Sequence, residues 1–148
     1  MSGAIPKELR LDHPDLDRQH GELFGLLESA AAAFDLGDRA ELLAALARFT
    51  EALLTHTAEE DRLMEASLFP DRGRHRQAHE LFLADLERLR LEVEAGGATP
   101  VVDEWLRLRV PEWLRFHVAV NDTKVAQHLA THRATPSRAA RRPARRPS

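Results

Sequence analysis

The stretch "LLTHTAEEDRLM", residues 53–64, puts a histidine and a glutamate where a helix facing a core carries leucines. At helical spacing Leu53, His56, Glu60 and Leu63 fall on one stripe. Burying an ionised group without a partner costs several kcal/mol or more, so this stripe calls for a compensating charge. It reaches back through Phe49, Leu46 and Leu42 to Gly37 as a stop and to Asp38 with Glu41 as a capping-box-like start. The turn "SLFPDRG" breaks it at the other end.

Outward from this helix, the same rhythm recurs on both sides. Upstream, Leu16, His20, Leu23, Leu27, Ala30 and Phe34 alternate spacings of four and three, the seam of a helix packed in a bundle. Downstream, His75, His79, Phe82, Leu86, Leu89 and Val93 share a face that ends at Gly96 and Gly97. Thr99 and Pro100 then open a helix carrying Val102, Leu106, Val110, Trp113 and His117, with Pro111 inside it as a kink. No useful β-alternation appears. Long amphipathic helices joined by short connections predict an all-α protein, an antiparallel up-down-up-down four-helix bundle over residues 1–132.

The chain's 148 residues suit one domain with a real core. The absence of cysteine excludes disulfides, thiolate metal sites and thiol catalysis. The opening "MSGAIPKELRLDHPD" lacks a basic segment followed by an apolar run, and no stretch approaches a membrane span. A soluble, cytoplasmic protein is expected. Of 21 basic residues six lie after His132, leaving fifteen against 24 acidic ones in an acidic body. The segment 133–148, "RATPSRAARRPARRPS", lacks large apolar residues and is expected to stay disordered. Its arginines, without interleaved aromatics, offer an electrostatic footprint for nucleic acid or another anionic partner.

Counting along each helix from one shared pole near Leu36, Asp38, Gly96 and Pro100 places His20, His56, Glu60, His75, His79, His117 and Asp122 sixteen to twenty-two residues away. All seven fall within a slab roughly 9 Å thick at the helical rise. Five imidazoles and two carboxylates at one level of a core have an economical explanation in bound metal cations, which satisfy lone pairs and negative charge together. Seven ligands exceed what one first-row ion usually accepts, and carboxylates bridge readily, so two metals are expected about 3.5–4 Å apart. Imidazole and carboxylate suit zinc and manganese as well as iron, so spacing leaves the metal open.

Asp122 follows His117 by five residues, which on a regular helix turns its side chain about 140° away. The apolar rhythm resumes at Val125 and Leu129, as though one residue had been inserted. A single π-turn between His117 and Asp122 is predicted. The remaining His13, His128 and His132 are read as surface residues, and Glu59 with Asp61 as a solvated acidic face.

These residues resemble the hemerythrins, in particular the bacterial single-domain members. The likeness is carried by "LDRQHGELF" at the first ligand, "HTAEEDRLM" at the next two, "HRQAHELF" at the following pair and "WLRFHVAVND" at the last two. It covers most of residues 9–131 and leaves the tail without a counterpart. The resemblance implies a di-iron centre: His75, His79 and His117 on one iron, His20 and His56 on the other, Glu60 and Asp122 bridging both beside a solvent-derived oxo or hydroxo bridge. The iron with two histidines then keeps a place open for dioxygen.

Leu23, Trp113, Leu114 and Val118 match positions that line the family's apolar ligand pocket. The residue after the second ligand is commonly Phe there, and here it is Thr57. Tyrosine is absent altogether. The resemblance implies reversible dioxygen binding for storage, delivery or sensing. Competing readings are a regulatory domain sensing iron, oxygen or nitric oxide, and a di-iron peroxidase or oxidase. No general acid or base beyond the ligands stands out, so a binding protein is expected in place of an enzyme.

Overall fold

The computed structural model describes residues 5–134. After a 3-10 turn at Lys7–Leu9, helix α1 spans Pro14–Leu36, α2 Arg39–Ala66 and α3 Arg72–Gly96. A fourth rod follows as α4 (Pro100–Glu104), a π segment (Trp105–Arg109), α5 (Val110–Phe116), a second π segment (His117–Asp122) and α6 (Thr123–Ala134). The residues at its internal joins, Trp105, Val110, His117 and Thr123, all keep right-handed helical dihedrals, so these pieces form one continuous rod. Among the described residues there is no strand, and the protein is a helical bundle.

The helix ends fall where the sequence marks them. Gly37 takes the left-handed conformation at φ 68° and donates its N–H to the Phe34 carbonyl, a position that disfavours any residue with a Cβ. Asp38 Oδ1 accepts the Glu41 N–H at 3.1 Å, but the Glu41 carboxylate turns to Arg48 and leaves the reciprocal half of the box unmade. Thr99 caps the fourth rod, with Pro100 at its first turn. Pro111 lacks an N–H, and its ring would press on the carbonyl four residues earlier. The π segment just before it, closed by the Val110 N–H on the Trp105 carbonyl, widens the rod at this point.

Helix α1 packs on α2, α2 on α3, α3 on the start of the fourth rod, and α1 on its first π segment. The main apolar cluster includes Leu23, Leu27, Leu46, Phe49, Leu53, Phe82, Leu86, Leu89, Leu106 and Leu114. A second, smaller cluster holds Leu16, Met64, Phe69, Val125 and Leu129. Burying each such Leu or Phe contributes about 1.5–3 kcal/mol. Between the clusters runs a polar layer: His20 lies between Leu16 and Leu23, His56 and Glu60 between Leu53 and Met64, and Asp122 between Val118 and Val125.

Several sequence expectations shift by one residue or one role. Met64 and Ala33 are buried, while Leu63 and Phe34 are only half-buried, the drift expected when a strict three-and-four rhythm is laid on a 3.6-residue turn. Phe34 lies under the Arg107 guanidinium at 5.7 Å. His13 and His128 are not simple surface residues. The first accepts the Leu16 N–H at 3.2 Å as the cap of α1, and the second is half-buried with a ring nitrogen 2.8 Å from the Ser67 carbonyl. His132 is exposed. The last helix continues to Ala134, two residues past the sequence boundary, and the expectation for the basic tail lies outside the described residues. Among the described residues no helix is long and apolar enough to cross a membrane.

Candidate metal centre

Helix α1 brings in His20, α2 brings His56 and Glu60, α3 brings His75 and His79, and the second π segment brings His117 and Asp122. All seven are buried, and Glu60 and Asp122 are 0% exposed. Their donor atoms form two overlapping groups within 4.8 Å: Glu60, His75, His79, His117 and Asp122, and then His20, His56, Glu60 and Asp122. Both carboxylates belong to both groups.

The contacts are short. His20 Nε2 lies 2.8 Å from Asp122 Oδ2, His56 Nε2 3.0 Å from Glu60 Oε2, and His117 Nε2 3.0 Å from Asp122 Oδ1. His75 Nε2 faces Glu60 Oε1 as well as Asp122 Oδ1, the latter at 3.1 Å. Yet Nε2 of His20, His56 and His75 and all four carboxylate oxygens lack a hydrogen bond of acceptable geometry. Lone pairs aimed at a common interior point, and not at each other's protons, are what a cation fills. The His79 and His117 Nε2 atoms stand 2.9 Å apart, a contact that holds at most one proton. A donor set of five imidazoles and two carboxylates therefore fits divalent transition-metal cations.

In the protein alone, protons take part of the place a cation would fill. Burial opposes charge on His56, but the close Asp122 and Glu60 carboxylates outweigh it and raise the imidazole to about 10. His75 is raised to about 9 by the same balance. His79 goes the other way: burial first, then the neighbouring His117 and His75, push it down to about 2, so its ring is neutral with a free lone pair. Burial disfavours charge on Asp122, yet His117, His20 and His56 together hold it well below the usual carboxylate range.

The π segment explains how Asp122 reaches the site. The Thr123 N–H closes on the Val118 carbonyl, five residues back, and the Thr123 hydroxyl donates to the same oxygen at 3.2 Å. Widening the turn by one residue carries position i+5 to about where i+4 stands in a regular helix. His117 and Asp122 thereby share a face, as His56 and Glu60 do across an ordinary turn.

Two carboxamides back the rings. Gln19 Oε1 lies 2.7 Å from His56 Nδ1, and Asn121 Nδ2 lies 3.0 Å from His117 Nδ1. With His117 Nε2 committed to a cation, Nδ1 would carry the proton and the Asn121 amide would turn over to accept it. Sequence reasoning passed over both residues, because a half-exposed amide beside a buried histidine reads as ordinary surface. The spacing was the available signal: Gln19 adjoins His20, and Asn121 stands one turn beyond His117.

Of the positions matched to a ligand pocket, Leu23, Leu114 and Val118 are fully buried in the main cluster. Trp113 is half-buried and stacks on Phe82 at 3.6 Å and on His117 at 4.6 Å, pinning one face of that ring. Thr57 is buried, and its hydroxyl donates to the Leu54 carbonyl at 3.1 Å. Glu59 is held by Arg62 at 2.6 Å, while Asp61 is half-buried 3.6 Å from Arg76.

A helical bundle with a buried layer of five imidazoles and two shared carboxylates defines a cation-binding protein of the histidine and carboxylate class. Residues 12–129 match the hemerythrin HHE cation binding domain, and the chain belongs to that family. It is 31% identical over 122 residues to a bacteriohemerythrin of Ralstonia nicotianae, covering 82% of this chain and 85% of the relative. It is 27% identical over 114 residues to a bacteriohemerythrin of Stenotrophomonas maltophilia, covering 77% of this chain and 72% of the relative.

Proposed function

We propose that this protein holds two iron ions in an antiparallel, up-down-up-down bundle and binds dioxygen reversibly, as a binding protein and not an enzyme. The observation that carries this reading is the division of seven donor residues into a group of five and a group of four that share Glu60 and Asp122. His75, His79 and His117 are assigned to one cation and His20 and His56 to the other. The smaller group has one donor fewer, and that is the side at which a small ligand is read to bind. Iron held by these residues would supply the electrons for reversible dioxygen binding.

The chain's own residues supply the rest. Glu60 and Asp122 offset the charge of the cations, and His79, kept neutral by burial, offers a lone pair without first losing a proton. Leu23, Leu114 and Val118 keep water from this level of the core. Beyond the seven, the buried polar residues among those described are Thr57 and Ser67, neither of which transfers protons near neutral pH.

Stopped-flow absorption of the reduced, iron-loaded protein mixed with oxygenated buffer tests the reading. A long-lived charge-transfer band that disappears under argon and returns on re-oxygenation is expected. Rapid conversion to oxidised protein with no reversible phase would contradict it.

A further inference from the structure

Gln19 precedes His20 on α1 but reaches across to α2, where its Oε1 meets His56 Nδ1 at 2.7 Å. A carboxamide oxygen only accepts, so Nδ1 carries a proton, and Nε2 is the nitrogen left to present a lone pair once the ring gives up its other proton. That is the nitrogen facing Glu60 Oε2 at 3.0 Å and Asp122 Oδ2 at 3.8 Å. Outside this contact lies a cavity of about 400 Å³ walled by Arg18, Gln19, Glu22, Arg48, Glu51 and Thr55 that reaches His56. A neighbouring cavity of about 650 Å³ shares Arg18, Gln19 and Thr55. The Gln19 side chain therefore stands between open polar space and a ring that is itself only 2% exposed. The other imidazole of the four-donor group, His20, has no hydrogen-bond partner at Nδ1.

We propose that Gln19 is a positioning residue for the two-histidine side of the centre: it fixes the tautomer and ring orientation of His56 and so sets how tightly that side holds its cation. This rests on the two-cation reading above. Without an acceptor at Nδ1 the ring is free to rotate toward the polar cavity or to place its proton on Nε2, and either change removes a donor from a group that has only four. A carboxylate at position 19 would keep the orientation and draw the Nδ1 proton toward itself, making Nε2 the stronger donor.

The test is a titration of the metal-free full chain with Co²⁺, followed by visible absorption, for the wild type, Gln19→Leu and Gln19→Glu. The wild type takes up two equivalents. In Gln19→Leu the weaker equivalent loosens about 10–100-fold, the usual cost of losing such a partner, while the tighter one is unchanged. Gln19→Glu recovers wild-type affinity or exceeds it. The melting temperature of each metal-free variant, expected near that of the wild type, separates positioning from folding. Equal loosening of both equivalents in Gln19→Leu, no loosening of either, or a Gln19→Glu variant as weak as Gln19→Leu would overturn the proposal alone. A wild type that takes up fewer than two equivalents would overturn the two-cation reading and this proposal with it.

Discussion

At the scale of single residues, the centre is a competition between protons and cations for the same lone pairs. In the metal-free protein His56 and His75 sit above the ordinary imidazole value, so their contribution to stability is complete below about pH 6.5. It is lost as pH rises through about 9 for His75 and about 10 for His56. Asp122, held low, contributes above about pH 3.9 and loses that contribution as pH falls. Cations need those imidazoles deprotonated. The rise in melting temperature on loading with Zn²⁺ is therefore expected to grow between about pH 6 and about pH 8, and a rise that is flat or shrinks over that range would contradict the assignment. Thr57 makes a second prediction. Its hydroxyl is satisfied by Leu54, but its side chain leaves less apolar bulk beside His56 than Phe would. Thr57→Phe is expected to slow autoxidation of the reduced, iron-loaded protein several-fold, read from the decay of its visible spectrum. An unchanged or faster decay would count against a protective apolar wall there.

At the scale of elements, the fourth rod carries the information that the other helices do not. The boundaries of α1, α2 and α3 were readable because Gly37, Asp38 and Gly97 have chemistry tied to helix ends. The π turn at His117–Asp122 was readable because two polar residues spaced by five both interrupt an apolar rhythm. Its counterpart at Trp105–Arg109 was not, since Pro111 announces a missing hydrogen bond but leaves open whether the helix bends or widens. Six of the seven buried polar positions stood out because each displaced a leucine-like residue from a stripe, and Asp122 because its five-residue spacing broke one. Gln19 and Asn121 did not, because nothing in a periodic pattern marks a half-exposed amide. Inserting one alanine after Val120 would carry the aspartate a further residue along, turning it about 100° out of the site. Loss of at least one bound cation with far-UV helicity retained is expected. Deleting Val120 restores regular i+4 spacing and is expected to preserve cation loading. Metal analysis and circular dichroism check both, and a tolerated insertion or a deletion that empties the site would refute the account of the widened turn.

At the scale of the whole molecule, two apolar clusters clamp a polar layer that neither would tolerate without compensation. Two fully buried carboxylates lacking proper hydrogen bonds, next to rings with unsatisfied nitrogens, would cost several kcal/mol in a dry core. The helical class and the level of the site follow from sequence because helical rise is constant and the connections are short, so counting residues measures height in the bundle. Which ring nitrogen faces inward, and which carboxylate oxygen meets which ring, depends on side-chain torsions that periodicity does not encode. The most direct measurement is the transition-metal content of the purified, anaerobically iron-reconstituted protein, determined together with its thermal unfolding before and after chelation. The account predicts about two ions per chain and a marked fall in melting temperature once they are removed. A protein that retains only a trace of metal, yet stays fully folded and melts at the same temperature with or without chelator, would contradict it.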